Sequence, residues 1–133
     1  MSERTTEEWS RVAVALPGWR WMLGMRVRNG DVRQWGTLAA VHPDGHVDYW
    51  DPEFEELLTG KHPSWLDIDP DDPATAGCLL AVLGKDARWL RAQAGDGGHV
   101  EYRHYHLATW RPNLGRACIA AAEAIGRWPG GDL

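Results

Sequence analysis

Apolar and polar residues alternate through residues 16–30, LPGWRWMLGMRVRNG. Trp19, Trp21, Leu23, Met25 and Val27 share one parity, and Arg20, Met22, Arg26 and Arg28 share the other. A period of two predicts a half-buried strand with one core face. Before it, Thr5 and Glu8 have capping-box spacing, and Trp9, Val12, Ala13 and Leu16 follow at helical intervals. Pro17-Gly18 ends that helix. Asn29-Gly30 predicts a two-residue hairpin turn into a strand over Val32 to Val41. HPDGH is a second reversal, and HVDYW returns as a third strand.

Residues 51–72 read as an acidic excursion with a short helical piece in PEFEELL. Asp72 as N-cap and Pro73 at the first helical position open the helix ATAGCLLAVL, which stops at Gly84. Over 87–93, ARWLRAQ fits a helical extension or a strand. AGDGG followed by the alternating HVEYRHYHLATW favours a second hairpin. Pro112-Asn113 opens a last helix, LGRACIAAAEAIGRW, whose Ala117, Ala121 and Ala124 form a small face for close approach to a sheet. The expected fold is α+β in the order α-βββ-α-ββ-α: an antiparallel sheet, built from a three-stranded meander and a second hairpin, packed by about three helices.

A chain of 133 residues is long enough for one domain, 1–133, with a real core. Its 44% apolar and 25% charged residues exclude wholesale disorder. Nine tryptophans against one phenylalanine cannot all be buried in so short a chain, which places some at a rim or groove. Charge is unevenly spread. The 51–72 segment holds eight acids and one base, Lys61, so it carries −7 of the net −5 and leaves the rest at +2. That balance opposes a generic nucleic-acid coat but permits a local basic pocket. Cys78 and Cys118 are too few and too far apart for a disulfide framework or zinc knuckle, and read as buried free thiols. With no apolar signal segment and no spanning run, a cytoplasmic location without membrane contact is expected.

Pairing across Asn29-Gly30 would set Arg28 opposite Asp31, Arg26 opposite Arg33, Gly24 opposite Trp35 and Met22 opposite Thr37. Pairing His42 with His46 would set Val41 opposite Val47 and Ala39 opposite Tyr49. The non-core face then carries Arg20, Arg26, Arg28 and Arg33 around Met22, Trp35 and Tyr49, and Gly24 leaves a bare patch beside Trp35. Guanidinium forks take phosphate oxygens and an indole stacks a base, so this face fits a small phosphorylated nucleotide. Two plainer readings compete. A helix could lie on the face over the arginine stems, or the arginines could neutralise the 51–72 acids. Tyr102, His104 and His106 are secondary ligand candidates. A protein interface is the alternative: Trp50, Phe54 and Trp65 would anchor it, and Glu53, Glu55 and Glu56 would mimic phosphates.

No metal is expected. His104 and His106 lack a third ligand at metal-site spacing. His42 and His46 read as cross-strand neighbours. Asp67, Asp69 and Asp71 begin like a calcium loop, but Asp72 replaces the glycine and Cys78 the bidentate glutamate. Those acids fit the cap and dipole of the following helix better. No nucleophile elbow, P-loop or dinucleotide fingerprint occurs, so no catalytic residue, cofactor or enzyme activity is assigned.

LPGWRWMLGM and DPATAGCLLAVLG resemble the LPG-aromatic-RWM-x-GM and DPAT-x-GCLL motifs of small uncharacterised bacteriophage and prophage proteins. LGRACIAAAEAI is more weakly similar to the closing helix of that group and of phage ABA-sandwich proteins. The resemblance covers 16–26, 72–84 and 113–125. It implies a phage accessory protein in the host bacterial cytoplasm that antagonises antiviral defence, and it transfers no catalytic residue. Joined to the residue reading, the first expectation is a binding protein that sequesters a phosphorylated nucleotide signal. The second is an inhibitor of a CRISPR-type host nuclease using the acidic 51–72 surface. The third is a nucleotide-cleaving hydrolase using the histidines. An exposed tryptophan rim would suit a homodimer.

Overall fold

The computed structural model describes the backbone of residues 4–29, 35–44, 46–52, 55–60, 66–91, 98–103, 105–111 and 113–132, with side chains for these except 29, 91, 105–111 and 132. Its elements are α1 (Thr6–Ala15), β1 (Arg26–Asn29), β2 (Gly36–Val41), β3 (Val47–Asp51), β4 (Glu56–Gly60), β5 (Leu66–Ile68), α2 (Pro73–Leu83), β6 (Ala87–Arg91), β7 (Gly98–Tyr102), β8 (Tyr105–Arg111) and α3 (Leu114–Ile125), then a 3-10 turn, Pro129–Asp132. They form the expected α+β fold, with the strands divided between two antiparallel sheets rather than joined in one, ordered β4-β3-β2-β1-β5 and β6-β7-β8. No helix among the described residues is long and apolar enough to cross a membrane.

Each helix begins where its local signal stands. Thr5 and Glu8 close a capping box, with Glu8 N–H donating to Thr5 Oγ1 at 3.2 Å and Thr5 N–H to Glu8 Oε1 at 3.3 Å. Asp72 Oδ2 accepts from Thr75 N–H at 3.0 Å, and Asn113 Oδ1 from Arg116 N–H at 2.8 Å. These contacts satisfy amides that a helix leaves unpaired at its start.

The acidic excursion departs from expectation. Instead of a helical piece it supplies two strands. β4 pairs with β3, and β5 returns to pair with β1, setting Val27 opposite Ile68 and Arg28 opposite Asp67. Burial drives the second pairing, because Leu66 and Ile68 are both buried while Asp67 between them is half-exposed. The meander register also differs. Arg26 stands opposite Thr37 rather than Arg33, four positions along. An even slip preserves which side chains share a face. Between β2 and β3, Val41 meets Val47 as expected, but an irregularity at Ala39 sets Leu38 opposite Tyr49. That extra residue lets Leu38 and Tyr49 both enter the core, where they are 2% and 6% exposed.

Residues 87–91 are strand, which resolves that segment as part of a hairpin with β7. HVEYRHYHLATW is not one strand. It breaks at Arg103, which has φ +51°, so β7 turns into β8 and Tyr102 stands opposite Tyr105. The predicted first strand is likewise shorter. Leu23 and Gly24 turn, with Met25 N–H donating to Met22 O at 3.2 Å, and the strand starts only at Arg26.

Met25, Val27, Leu38, Val47 and Ile68 meet Leu79, Val82 and Leu83 of α2, Ala117, Cys118, Ile119 and Ala121 of α3, Trp9 and Trp128 in one core. Ala124, predicted on the small face of α3, is exposed. The stretches LPGWRWMLGM and DPATAGCLLAVLG build this packing. At Gly18, φ +83°, a Cβ would lie 2.4 Å from Trp128 O, so the chain needs glycine to approach there. Trp19 meets Trp128 edge-on at 5.5 Å and Trp21 at 5.3 Å, while Trp128 Nε1 donates to Ala13 O at 2.8 Å. The second motif grips the first. Thr75 Oγ1 accepts from Arg26 N–H at 2.7 Å and donates to Asp72 Oδ2 at 3.1 Å.

Candidate functional site

The face of the first sheet that points away from the core is open. Pairing lines up Arg26, Thr37, Trp50 and Leu57 across β1, β2, β3 and β4. All four are exposed, Trp50 at 43% and Leu57 at 59%. The principal helix packing lies elsewhere: α1 against β5 and α3, α2 against α3 and β6, and α3 against β7 and β8. On the opposite side Val27, Leu38 and Val47 join Leu79, Val82 and Leu83 of α2 in the core, while on this side the described positions Thr37, Trp50 and Leu57 stay exposed.

The arginines of this face are already paired. The Arg28 guanidinium lies over the Trp35 ring, 4.3 Å from its centroid, and its Nη2 donates to the Glu7 carboxylate. Arg28 Nε is buried without a hydrogen-bond partner. Arg26 Nε is 3.6 Å from Asp69 Oδ2. Burial pushes the carboxyls of Asp67 and Asp69 up, while Arg28 and Arg11 pull Asp67 down and the Asp71 N–H and Arg26 pull Asp69 down. A phosphate arriving here would compete with carboxylates already in place.

Only part of the predicted cluster assembles. Arg26, Arg28 and Trp35 come together, and Arg20 is exposed but lies off the strand. Tyr49 points into the core instead, because the irregularity at Ala39 rotates its pairing. Arg33 lies outside the described residues. Tyr102 is half-buried in the second sheet, His104 lies outside the described residues, and so does the side chain of His106. Of the alternative interface, Trp50, Glu55 and Glu56 are exposed, whereas Glu53, Phe54 and Trp65 lie outside the described residues.

Gly24, Arg26, Trp35, Thr37 and Asp72 line a pocket of about 330 Å³. A Cβ on Gly24 would meet nothing within 4 Å, so the bare patch expected near Trp35 is present. The even register slip preserved that neighbourhood. With Arg28 over one side of the indole, an entering ring must take the other side or displace the guanidinium.

A second cluster occupies the far end of the same face, and the local pattern pointed only to its histidines. His42 Nε2 and Asp48 Oδ2 are 2.8 Å apart, Thr59 Oγ1 donates to Asp48 Oδ1 at 2.8 Å, and His46 Nδ1 is 2.6 Å from Asp44 Oδ2. The Asp48 hydrogen bond raises His42 above the ordinary imidazole value, and the same bond, with that of Thr59, lowers Asp48. The missed signal is the Asp two residues beyond His46 in HPDGHVD. Among the described residues no group of three ligand-type side chains could hold a metal ion. Thr59 contacts the carboxylate rather than the imidazole, so the arrangement activates no nucleophile.

No family model matches the chain, and neither a curated protein nor a solved structure matches it.

Proposed function

We propose that the chain works by binding, and that its contact surface is the open outer face of the five-stranded sheet, presented to a protein partner with a basic rim. The observation that carries this reading is the pair Trp50 and Leu57, adjacent across β3 and β4 and both largely exposed. Tryptophan and arginine are the side chains that most often anchor protein interfaces. Asp48 on the same face and Glu55 in the adjoining turn give the patch an acidic border, while Glu56, opposite the buried Asp51, has the other parity. Such a border favours a cationic partner and repels an anionic one. A basic channel that otherwise holds nucleic acid is the partner surface with that chemistry. Joined to the phage resemblance, this makes inhibition of a host defence nuclease the leading role.

The Gly24–Arg26–Trp35 pocket supports a second reading, capture of a small nucleotide, with the indole as platform and Arg26 as the cation. The existing carboxylate pairing ranks it below the protein reading.

Inhibition assays with purified RNA-guided nucleases distinguish the two. On the protein reading the wild-type chain inhibits, Trp50→Ala weakens inhibition by about thirtyfold, as for an interface anchor, and Trp35→Ala, outside the Trp50–Leu57 row, leaves it nearly unchanged. On the nucleotide reading cyclic dinucleotides quench tryptophan fluorescence and only the Arg26 and Trp35 changes abolish the response. No inhibition and no quenching across both panels overturns both readings.

A further inference from the structure

We infer that the outer edge of β4 adds an extended, basic segment of a partner protein as a further antiparallel strand of the first sheet. The inference rests on the outer face of that sheet being the contact surface, and it names how the partner meets it. The sheet has two end strands, β5 and β4. β5 is sealed: α1 packs against it, and Ser10 Oγ accepts from Ile68 N–H at 2.9 Å. β4 is paired on one side, with β3, among the described residues.

The ladder fixes where the β4 amides point. His42 N–H donates to His46 O at 2.8 Å, and amides along a strand turn alternately to its two sides. Counting from His46, Asp48 and Trp50 turn toward β2, whereas Val47, Tyr49 and Asp51 turn toward β4. Their partners Gly60, Leu58 and Glu56 point back at β3. Leu57 and Thr59 therefore aim their N–H and C=O groups outward, and both residues are exposed. The usual defences of an edge are missing here. The sequence of β4, ELLTG, holds neither proline nor lysine, and its pairing with β3 runs without a bulge. In the second sheet, by contrast, β8 packs on α3, and β6 carries two arginines in ARWLR.

Charge selects the occupant. DPEFEELLTG, residues 51–60, contains four acids and no base, and Glu55 and Glu56 are exposed. A second copy of the chain would bring the same acids to the shared edge, where like charges repel. A lysine or arginine beside Glu56 is attracted instead. An apolar residue of the added strand beside Leu57 would extend the row that ends in Trp50 and Leu57 on the outer face. The segment that fits therefore alternates basic and apolar residues. Its backbone supplies affinity through Leu57 and Thr59, and its alternate side chains supply selectivity.

The test uses the intact chain and a short end-blocked peptide of alternating arginine and valine, followed by amide hydrogen exchange and tryptophan fluorescence. Binding should slow exchange at Leu57 and Thr59. Methylating the valine nitrogens, which lie opposite Leu57 and Thr59, should weaken binding by about tenfold, the worth of one or two backbone hydrogen bonds. Methylating the arginine nitrogens, which face away, should not, and glutamate in place of arginine should abolish binding. Thr59→Pro removes one outward N–H, keeps Trp50 and Leu57, and is tolerated by an edge strand; it should weaken binding about as much as valine methylation. Thr59→Val, which keeps the N–H, should bind like wild type. Unslowed exchange at Leu57 and Thr59, or equal binding of the valine-methylated peptide, overturns the inference. Protection of the same amides by raising the concentration of the chain alone also overturns it, by assigning the edge to a second copy. Nuclease inhibition that survives Thr59→Pro but not Trp50→Ala overturns strand addition and leaves the face reading standing. Peptide capture with no nuclease inhibited upholds strand addition and removes the nuclease role alone.

Discussion

Replacing Gly115 by alanine adds one methyl group at the second residue of α3, and the same change at Gly77 adds one in the middle of α2. At Gly115 the new Cβ would lie 1.8 Å from Pro70 O and 2.7 Å from Pro70 C. Both obstacles are backbone, so no rotamer change relieves the clash. The opposing segment is pinned as well. Asp71 takes hydrogen bonds from Asn113 Nδ2 at 2.6 Å, Arg116 Nε at 2.9 Å and Arg116 Nη2 at 3.0 Å. Relief therefore requires α3 to slide from the 69–72 turn by more than 1 Å, roughly the gap to an ordinary carbon–oxygen contact. The next turns of α3 hold Ala117, Cys118, Ile119 and Ala121 fully buried, and they would move with it.

Overpacking of this kind costs about 3 kcal/mol, the upper part of its usual range. For a chain of this size that corresponds to a fall of roughly 10 °C in melting temperature. At Gly77 nothing lies within 4 Å of the added carbon and the residue is exposed. Only helix propensity changes there, a gain of about 1 kcal/mol, or a rise of roughly 3–4 °C. Thermal unfolding followed by far-ultraviolet circular dichroism reads both variants. A Gly115→Ala protein melting within 2 °C of wild type would falsify the close approach of α3 to the 69–72 turn. A Gly77→Ala protein that melts lower would show that this face of α2 is covered.

Thr75→Val removes both the acceptor for Arg26 N–H and a donor to Asp72 at a fully buried position, and should cost about 2 kcal/mol in chemical denaturation; a midpoint equal to wild type contradicts the link between α2 and β1. Changing Trp50 and Leu57 together to serine should leave stability within about 0.5 kcal/mol per site, as for exposed positions; a larger loss means the outer face is packed. Below the ordinary imidazole value His42 is charged, and above the ordinary carboxylate range Asp48 is charged, so their contact stabilises fully between those limits. It is lost as pH rises through the raised value of His42 or falls through the lowered value of Asp48; proton resonance titration should place His42 high and Asp48→Asn should lower it, and an unmoved titration refutes the pairing. Burial pushes the Cys118 thiol far up, so iodoacetamide should modify it only after unfolding; rapid native labelling at Cys118 contradicts the burial.

The helices were legible because their signals are local: Thr5 with Glu8, Asp72 with Pro73, and Asn113 each sit within one turn of the helix they start. The strands of 51–72 were not. Leu57 and Leu58 close PEFEELL, whose apolar spacing reads as a short helical piece, and the three residues of β5 have meaning only beside β1, about forty positions earlier in the chain. Alternation alone puts Tyr49 on the outer face, because it cannot show the extra residue at Ala39 that turns this side chain into the core. The Gly24–Trp35 neighbourhood survived a wrong register because the slip was even. Of the carboxylates that answer the arginines, Asp69 belongs to the 51–72 acids that the sequence offers as their partners. Glu7 comes from α1, which the strand pattern does not join to β1, so only tertiary pairing brings it to Arg28.

That pairing decides which surface suits which ligand. At Arg28 an incoming phosphate must displace Glu7 beside a half-buried Asp67, trading one anion for another and exposing a carboxylate to repulsion. The sheet face offers what an interface needs instead, an exposed indole and an aliphatic side chain within a charged border. Serine at Trp50 and Leu57 should therefore abolish capture of a basic partner, and unaltered capture would move the contact off this face.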